Sequence, residues 1–463
     1  MNKVIINIPC TYQVEKQYLC DVLFTQFLGI DYQVNFSPDI DKVIIESQYY
    51  RGKLILPEIL FATPEDIWLK KQSFPRLPLR VRDLIDLQHS NLYSQTLPVI
   101  YGDDKSQLCN LEADETYFDI DLLGSMFFQL TLYEEIDNDQ WDEFGRFPYQ
   151  HSIFYKENLH DRALVNENLE VLWHLLVTKF PGIRRINHQY KLSVTHDVDH
   201  PIANNNGFFS FLKGCGTDLI REKSISVLSR RVYSRIIKTE DLNTSLDPFN
   251  NFKYLMDVSD KLGLKSEFNF IVINGNGSVD GEYDIEKGFA RQLIKYVYER
   301  GHIVGFHPSF YTYCNLEETK NQFTKLKTLC EELEVKQSVF GGRQHYLRWK
   351  NPDTWAIWDK IGADYDSSLG WSRYLGFRTG VCYPYTVFDL INRKKLNLKE
   401  KTLMVMDLAA EKYDSHRSFM EKVKMINYTC KYFSGEMTVL FHNNYIISPK
   451  QKRQYELLLN SLI

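Results

Sequence analysis

Two carboxylates stand two residues apart in the run Thr195-His196-Asp197-Val198-Asp199-His200. On an extended chain, this spacing puts both carboxylates on one face, about 7 Å apart along the strand. Two carboxylates that close can divide the work, because one can hold a cation while the other acts as a base. Asp197 and Asp199 are therefore candidates for metal-assisted acid–base chemistry. The alternative interpretation is a solvated turn or a helix N-cap.

Ionisable residues also follow most of the other short β-type runs between residues 191 and 445. Six of the seven runs end in such a group, and the further candidates are His307, Arg343 to His345, Asp366, Asp407 and His442. In a parallel α/β barrel the loops after the strands form the active face, so these side chains are expected to meet at one rim. His302 lies five residues before His307, an odd offset that predicts the opposite face of the strand and a structural role.

The β-type runs alternate with amphipathic helical windows, which predicts a parallel α/β barrel over residues 190–463. The predicted strands are Lys191–Thr195, Glu267–Ile273, His302–Phe306, Gln337–Phe340, Ala363–Tyr365, Leu403–Met406 and Met437–Phe441. Residues 1–185 lack this alternation and are expected to form a smaller α+β domain that ends near the breaker pair Pro181-Gly182. Residues 201–246 are too long for an ordinary connection, which predicts an insertion over the barrel mouth.

The composition excludes several classes of protein. A hydrophobic fraction of 44% with 14% aromatic residues is typical of a globular chain and excludes disorder. The net charge of −5 provides no overall basic field for nucleic acid. No apolar run has the length of a membrane span, and the first ten residues do not resemble a secretory signal. Eight scattered cysteines without a Cys-x-x-Cys pair predict reduced thiols in a cytoplasmic protein.

The series Thr195–Asp199, Gly301–His307, Arg343–Tyr346, Asp366 and Leu440–His442 resembles, in the same order, the motifs of the polysaccharide deacetylase family, carbohydrate esterase family 4. The Thr-His-Asp-Val-Asp variant is similar to a bacterial subgroup linked to surface-polysaccharide gene clusters, in which a poorly characterised N-terminal domain precedes the barrel. The resemblance implies a distorted (β/α)7-type barrel with a bound divalent metal. It also implies a hydrolase of carbon–nitrogen bonds other than peptide bonds, which removes an N-acetyl or O-acetyl group from a carbohydrate.

The resemblance also implies roles for individual residues. Asp197 would be the general base, Asp199 and His307 would be metal ligands, and Arg343 would orient Asp197 through a bidentate pair. The backbone N–H of Tyr346 would help hold the oxyanion, and His442 would be the general acid. Either Asp366 or Asp407 would fix the tautomer of His442.

Two positions depart from the family pattern. Tyr311 stands where the family has its second histidine ligand, and Leu369 stands where a second carboxylate is expected. A neutral phenol is a poor ligand for zinc, the metal that the resemblance implies. Three outcomes therefore stay open. His196, His200 or His345 completes the site, a weaker oxygen-rich site forms, or no metal binds.

The insertion carries a basic stretch, with seven Lys and Arg residues between positions 213 and 238 against Asp218 and Glu222. It is either a solvated helix face or a lid that meets an anionic substrate, such as a diphosphate-linked glycan or a lipid surface. Arg378 could similarly receive a carboxylate or a phosphate. Two alternatives to a deacetylase remain, a metal-independent amidohydrolase that acts on a small C–N substrate and a catalytically silent glycan-binding homologue.

Overall fold

A computed structural model describes residues 3–87, 92–104, 107–203, 208–220, 224–237, 241–242, 246–274, 279–281 and 283–463. The chain divides into two compact units. The first comprises Met1–Tyr190, Phe377–Glu400 and Thr429–Gly435, and the second comprises Lys191–Gly376, Lys401–Tyr428 and Glu436–Ile463. Residues 377–400 and 429–435, which the sequence pattern assigns to the second domain, thus belong to the first unit.

The strands form three sheets. In chain order they are β1 (Lys3–Pro9), β2 (Asp31–Ser37), β3 (Lys42–Glu46), β4 (Lys53–Pro57), β5 (Arg80–Asp83), β6 (Thr96–Val99), β7 (Glu115–Tyr117), β8 (Lys191–Val198), β9 (Glu267–Ile271), β10 (Ile303–His307), β11 (Gly341–Gly342), β12 (Tyr365–Asp366), β13 (Tyr385–Asp389), β14 (Lys394–Glu400), β15 (Leu403–Met406) and β16 (Glu436–Leu440).

The α-helices of the described residues lie mostly in the second unit. They are α1 (Gln13–Cys20), α2 (Leu122–Leu130), α3 (Ile153–Lys156), α4 (Leu164–Lys179), α5 (Phe208–Ile220), α6 (Ile225–Ile237), α7 (Phe252–Lys261), α8 (Gly288–Glu299), α9 (Leu316–Glu332), α10 (Asp353–Lys360), α11 (His416–Tyr432) and α12 (Pro449–Leu462). Throughout the described part of the chain, none of the helices combines the length and the apolar character that crossing a membrane requires.

The first unit is built on a mixed sheet in the order β2-β1-β3-β4-β7. Strand β1 pairs in parallel with β2 and antiparallel with β3. Its residues alternate, so that Val4, Ile6 and Ile8 are fully buried on one face. Asp121 precedes helix α2, and its carboxylate accepts a hydrogen bond from the N–H of Gly124 and so caps the helix.

The second unit contains seven parallel strands in the order β12-β11-β10-β9-β8-β16-β15. The N–H groups of Lys401 and Leu403 donate to the carbonyls of Asp366 and Leu369, at 2.8 and 3.0 Å. These bonds bring β15 beside the segment that follows β12, so the sheet curls back on itself. The carboxyl ends of all seven strands consequently lie at the same end of the sheet.

The predicted α/β class is confirmed, but a strict (β/α)7 repeat is not followed. Each of the seven predicted strands has a counterpart, and Leu403–Met406 has the predicted bounds. The connection from β12 to β15, residues 367–402, contains the β13–β14 hairpin and no helix. The fourth strand is reduced to Gly341–Gly342 and lies just beyond the predicted run Gln337–Phe340.

Candidate active site

The first two site residues lie at the carboxyl end of β8. Asp197 is within the strand, in register with Asn269 of β9, and Asp199 directly follows the strand. His307 is the last residue of β10. Because these strands are parallel neighbours through β9, their carboxyl ends bring the three side chains together.

Asp199 lies at the centre of a group of metal-ligating atoms. Its Oδ1 is 3.3 Å from Nε2 of His307 and 3.6 Å from Nε2 of His345. One ligand atom from each of these three residues lies within 4.8 Å of the others. Carboxylate oxygen and imidazole nitrogen are ligands that suit Zn²⁺ and other first-row divalent ions.

Both imidazoles have the tautomer that a metal ligand needs. Nδ1 of His307 donates to the carbonyl oxygen of Arg343 at 2.6 Å, because a carbonyl can only accept. Nδ1 of His345 is bound to Oδ1 of Asp280 at 2.7 Å. In each ring Nδ1 is thus engaged and Nε2 is the nitrogen that faces Asp199, which is the usual arrangement of histidines on a metal.

The donor atoms lack other partners. Oδ1 of Asp199 and Nε2 of His307 are both buried and form no hydrogen bond. Leaving such groups unpaired costs free energy, so orphaned donors that face one another point to a missing ligand. The residues present thus fit a divalent ion held by Asp199, His307 and His345, with one coordination position or more left for substrate or water.

The electrostatics of the donors agree with this assignment. Burial alone would raise the pKa of Asp199, yet the charge of His345 and the closeness of the His307 and His345 rings hold it well below the ordinary value. Burial would lower the pKa of His345, whereas the charge of Asp199 and the bonds to Asp199 and Asp280 raise it to about 9. His345 therefore carries an additional proton at neutral pH, which a bound cation would displace.

Asp197 is held in place beside the donors by two groups. Nη1 of Arg343 and Nδ2 of Asn269 both donate to its Oδ1, at 2.9 and 2.8 Å. Its Oδ2 stays directed into the site, 3.8 Å from Nε2 of His307. Although burial opposes ionisation, Arg343 keeps the pKa of Asp197 below its usual value, so the residue is a carboxylate.

The contact between Arg343 and Asp197 differs from the expected bidentate pair. Only Nη1 reaches Asp197, and the same nitrogen donates to Oγ1 of Thr195 at 2.9 Å. Nε donates to the carbonyl oxygen of Ser367 at 3.0 Å, while Nη2 is buried without a partner. The donors of the guanidinium are thus divided between β8, through Thr195 and Asp197, and the segment after β12, which leaves a single hydrogen bond to Asp197.

His442 lies near the other carboxylate oxygen of Asp199. Its Nε2 is 3.8 Å from Oδ2 of Asp199, and its Nδ1 is bound to Oδ1 of Asp407 at 2.9 Å. The other oxygen of Asp407 accepts the backbone N–H of His442 at 2.7 Å, which fixes the carboxylate. Burial lowers the pKa of His442, but Asp407 and the nearby carboxylates raise it to about 10.

Of the two carboxylates considered as partners of His442, Asp407 occupies that position and Asp366 does not. Asp366 accepts the N–H of Ser368 at 2.9 Å and is also bound to the Ser368 hydroxyl. Burial raises the pKa of Asp366 to about 6. Asp366 therefore caps the turn after β12, and Asp407 is the one of the two alternatives that is hydrogen-bonded to His442.

Tyr311, which stands where the sequence analysis expects a second histidine ligand, is exposed, unlike the three donors. Tyr311 is 55% exposed, whereas His345 is 3% exposed and completes the group with Asp199 and His307. Of the three histidines that the sequence left open as the third ligand, His345 is the one that the structure brings to the site. Buried His196 donates instead to the carbonyl oxygen of Phe441 at 3.0 Å.

The backbone after His345 is unusual. Tyr346 and Leu347 are both left-handed, with φ of 61° and 53°. Side chains other than glycine seldom adopt this conformation, and it concentrates at functional sites. The oxyanion role of the Tyr346 N–H stays a prediction that this strained turn favours.

Two further sequence expectations concern residues away from the donors. His302 accepts the N–H of Ser266 through Nδ1 at 3.0 Å, which is a structural contact. Arg378 belongs to the first unit and forms a two-point ion pair with Glu135, at 3.0 and 2.7 Å. Its guanidinium is already neutralised, so the expectation that it receives a substrate anion is wrong.

Sequence reasoning missed Asn269 and Asp280. Asn269 alternates with Phe268 and Phe270 in a fully buried strand, and a polar residue in such a pattern could have indicated an inward-facing contact. Gly305 makes room for it, because a Cβ there would lie 1.9 Å from Oδ1 of Asn269. Asp280 follows no strand end closely, so no local signal distinguishes it.

Comparison with known proteins gives one match in sequence. Residues 4–181 match a family of unknown function, DUF7033. This match covers less than half of the chain. No curated protein matches the sequence.

Several solved structures are similar to the chain at low identity. The probable polysaccharide deacetylase from Pseudomonas aeruginosa PAO1 has 12% identity and a TM-score of 0.34, covering 59% of this chain and 84% of that one. PuuE allantoinase has 11% identity and a TM-score of 0.36, with the same coverage. Agd3, a carbohydrate deacetylase, has 10% identity and a TM-score of 0.36, covering 99% of this chain and 84% of its own. Similarities this weak establish neither the fold nor the activity of this chain.

Proposed function

We propose that the protein is a metal-dependent hydrolase that removes an N-acetyl group from a carbohydrate. One observation carries the proposal. A carboxylate held by Arg343 and a histidine held by Asp407 flank the three donors Asp199, His307 and His345. Amide hydrolysis needs this combination, because water must be activated, negative charge must be stabilised and a poor leaving group must be protonated.

Asp197 is the general base of this proposal. It is ionised, and its Oδ2 faces the donor group while Oδ1 is occupied by Arg343 and Asn269. This arrangement leaves one carboxylate oxygen free to accept a proton from the attacking water. When bound, a divalent ion at Asp199, His307 and His345 supplies Lewis acidity next to that oxygen.

His442 is the general acid. The hydrogen bond from its Nδ1 to Asp407 leaves Nε2 directed into the site, and the raised pKa of about 10 keeps the ring protonated at neutral pH. The ring can therefore donate the Nε2 proton to the amine as the C–N bond breaks. The N–H of Tyr346, in its strained turn, is the proposed donor to the oxyanion.

The carbohydrate part of the proposal rests on the aromatic residues beside the site. The Tyr346 ring is 4.7 Å from the His345 ring and 5.4 Å from Phe310, which in turn contacts Tyr311 at 5.1 Å. These rings lead from a metal donor to an exposed tyrosine. The apolar face of a sugar ring can pack on such surfaces while its hydroxyls remain in water.

The finer features of the proposal come from the sequence. The motif resemblance favours a role in surface-polysaccharide metabolism of a bacterium, and the scattered cysteines favour the cytoplasm. Removal of an O-acetyl group is an alternative, because the same three tasks apply when the leaving group is a sugar hydroxyl.

Acetate release from N-acetylated oligosaccharides tests the proposal when it is combined with metal analysis of the purified protein. The wild type is expected to contain about one divalent ion per chain and to release acetate. Asp197→Asn should lose activity by about 10³-fold or more while it retains the ion, because Asp197 is not among the three donors. Leu108→Asn, at an 88% exposed position of the first unit, is a control that should behave as the wild type.

Two results would contradict the proposal. Turnover of a small C–N substrate by protein that contains no metal would favour a metal-independent amidohydrolase. Glycan binding without any acetate release, from protein that carries its ion, would favour a silent glycan-binding homologue.

A further inference from the structure

Helices α5 and α6 form a hairpin whose exposed side is apolar. Eight of the 26 exposed large hydrophobic residues in the described part of the chain lie on these two helices, which the sequence connects through residues 221–224. They are Leu212, Leu219, Ile220, Ile225, Val232, Tyr233, Ile236 and Ile237, with exposures from 38% to 79%. Single exposed apolar residues are ordinary, but a concentration of this kind marks an interaction surface.

The exposed residues form one stripe on each helix. At about 100° per residue, Leu212, Leu219 and Ile220 fall within roughly a third of the circumference of α5. On α6, Ile225, Val232 and Ile236 lie almost directly above one another. Both helices are therefore amphipathic, with the apolar side turned toward solvent.

The opposite side of each helix carries the polar contacts that hold the hairpin. Asp218 of α5 and Arg231 of α6 are both buried and form a two-point ion pair, at 2.6 and 3.1 Å. Arg230 donates to the carbonyl oxygens of Asp247 and Ile447, at 3.0 and 3.2 Å. This polarity is the reverse of an ordinary surface helix, whose apolar side packs on the core.

The charge of the hairpin is opposite to that of the whole chain. The stretch 213–238 has seven basic residues against two acidic ones, whereas the chain has a net charge of −5. Asp218 is paired with Arg231, and Lys213 and Arg235 are further basic residues on the same two helices. Four residues of this count lie outside the described residues, so only their charge in the sequence is considered: Arg221, Glu222, Lys223 and Lys238.

We propose that the α5–α6 hairpin docks the protein on the surface of an anionic lipid bilayer. An amphipathic helix with apolar side chains on one face and flanking basic residues binds the interface between headgroups and acyl chains, and each basic residue adds attraction to anionic lipid. A second copy of this chain fits less well. A two-fold contact would bring two hairpins with the same excess of positive charge against each other.

The base of the α5–α6 hairpin is close in the fold to the candidate active site. The hairpin follows β8, whose carboxyl end carries Asp197 and Asp199, and Arg230 is anchored at Ile447, five residues after His442. The base of the hairpin therefore lies at the same end of the sheet as the metal donors. Docking would bring this end of the second unit to the lipid surface, where a membrane-linked substrate would be accessible. The docking itself does not depend on the proposed reaction.

Co-sedimentation of the full-length protein with vesicles tests the proposal. Vesicles of phosphatidylcholine mixed with phosphatidylglycerol should bind the wild type at least about tenfold more tightly than vesicles of phosphatidylcholine alone, and salt should weaken the binding. The double variant Ile225→Asp with Ile236→Asp should lose at least about tenfold in affinity. Ile85→Asp is the matched control, because Ile85 and Ile236 are both 72% exposed.

The same samples give the results that would overturn the proposal. Absence of binding to the anionic vesicles, or equal binding by the double variant and the wild type, contradicts it. A wild-type dimer in light scattering that the double variant converts to a monomer, without vesicle binding, would assign the stripes to a second copy of the chain. Acetate release in detergent-free buffer is measured in parallel, so a loss of docking is distinguished from a loss of the site.

Discussion

Asp280 and His345 form a buried hydrogen bond of 2.7 Å between Oδ1 and Nδ1, and the same oxygen accepts the N–H of Phe310 at 2.8 Å. Asp280 is only 1% exposed, so the bond is shielded from water. Gly281 makes this placement possible, because a Cβ there would lie 1.7 Å from the carbonyl oxygen of Asp199. Asp280 thereby fixes the ring orientation of a proposed metal ligand without contacting the ion site itself.

Asp280→Asn should weaken divalent metal binding by about 10- to 100-fold, which is the usual effect of losing a carboxylate behind a histidine ligand. The measurement is competition with a chelator, or the absorption spectrum of the Co²⁺-loaded protein. Asp366→Asn is the control, since it removes a buried carboxylate at another strand end and should leave the affinity within about twofold. Equal affinities of Asp280→Asn and the wild type would show that Asp280 does not position His345.

Substitution of His345 should lower metal affinity, whereas substitution of Tyr311 should not. His345→Ala removes one of three donors and should lower metal affinity by more than about 100-fold. Tyr311→Ala should leave the affinity unchanged, because position 311 is exposed, but should raise KM for an oligosaccharide if the ring packs on the sugar. Calorimetric titration with Zn²⁺ measures the first effect. A fall in affinity in Tyr311→Ala would mean that the tyrosine contributes to the ion site after all.

Asp407→Asn should move the alkaline limb of kcat/KM to lower pH. His442 acts as an acid, so activity is lost as the pH rises through its pKa, which the carboxylate of Asp407 raises to about 10. Removal of that charge lowers the pKa, and the limb should shift down by about one pH unit or more. The pH profile of the variant is compared with that of Asp366→Asn, whose limb should stay in place. An unshifted limb in Asp407→Asn would exclude His442 as the acid.

Folding stability should fall below pH 6.5 because of His196. Burial lowers the pKa of this residue to about 3, whereas an unfolded histidine titrates near 6.5. Between these values the unfolded chain binds a proton that the folded chain excludes, so the free energy of unfolding decreases as the pH falls, by about 1.4 kcal/mol per unit. Urea unfolding of the wild type and His196→Gln from pH 7 to pH 4 should show the smaller slope in the variant. Equal slopes, or a protonated His196 in NMR spectra at pH 5, would contradict this account.

The sequence predicts the strands of the second unit well, because a buried parallel strand has a short apolar run that periodicity detects. It places the fourth strand too early, on Gln337–Phe340. The paired residues are Gly341 and Gly342, which have low β-propensity. Tertiary packing decides their position, since a Cβ on Gly342 would lie 1.9 Å from the carbonyl oxygen of Phe306.

The donors at strand ends are predictable for a similar reason, because residues at the carboxyl ends of neighbouring strands must be close. His345 is followed by a left-handed turn at Tyr346 and Leu347. Neither residue type predicts such a turn, because glycine and asparagine are the residues that usually adopt this conformation. The position of Asp280 depends on its neighbour Gly281, because the backbone there passes so close to Asp199 that any other side chain would collide with it. Positions set by loop geometry are therefore the ones that sequence patterns leave open.

Arg343 serves two neighbours at once. Its guanidinium holds Asp197, while its carbonyl oxygen holds the ring of His307. A shift of this one stretch of backbone would disturb the alignment of the base and the geometry of the ion site in the same movement. The base and the ion site therefore cannot be altered independently through the backbone at this position. Arg343→Lys changes the side chain that holds Asp197 but keeps the main-chain carbonyl that holds His307, so this variant should still carry the ion.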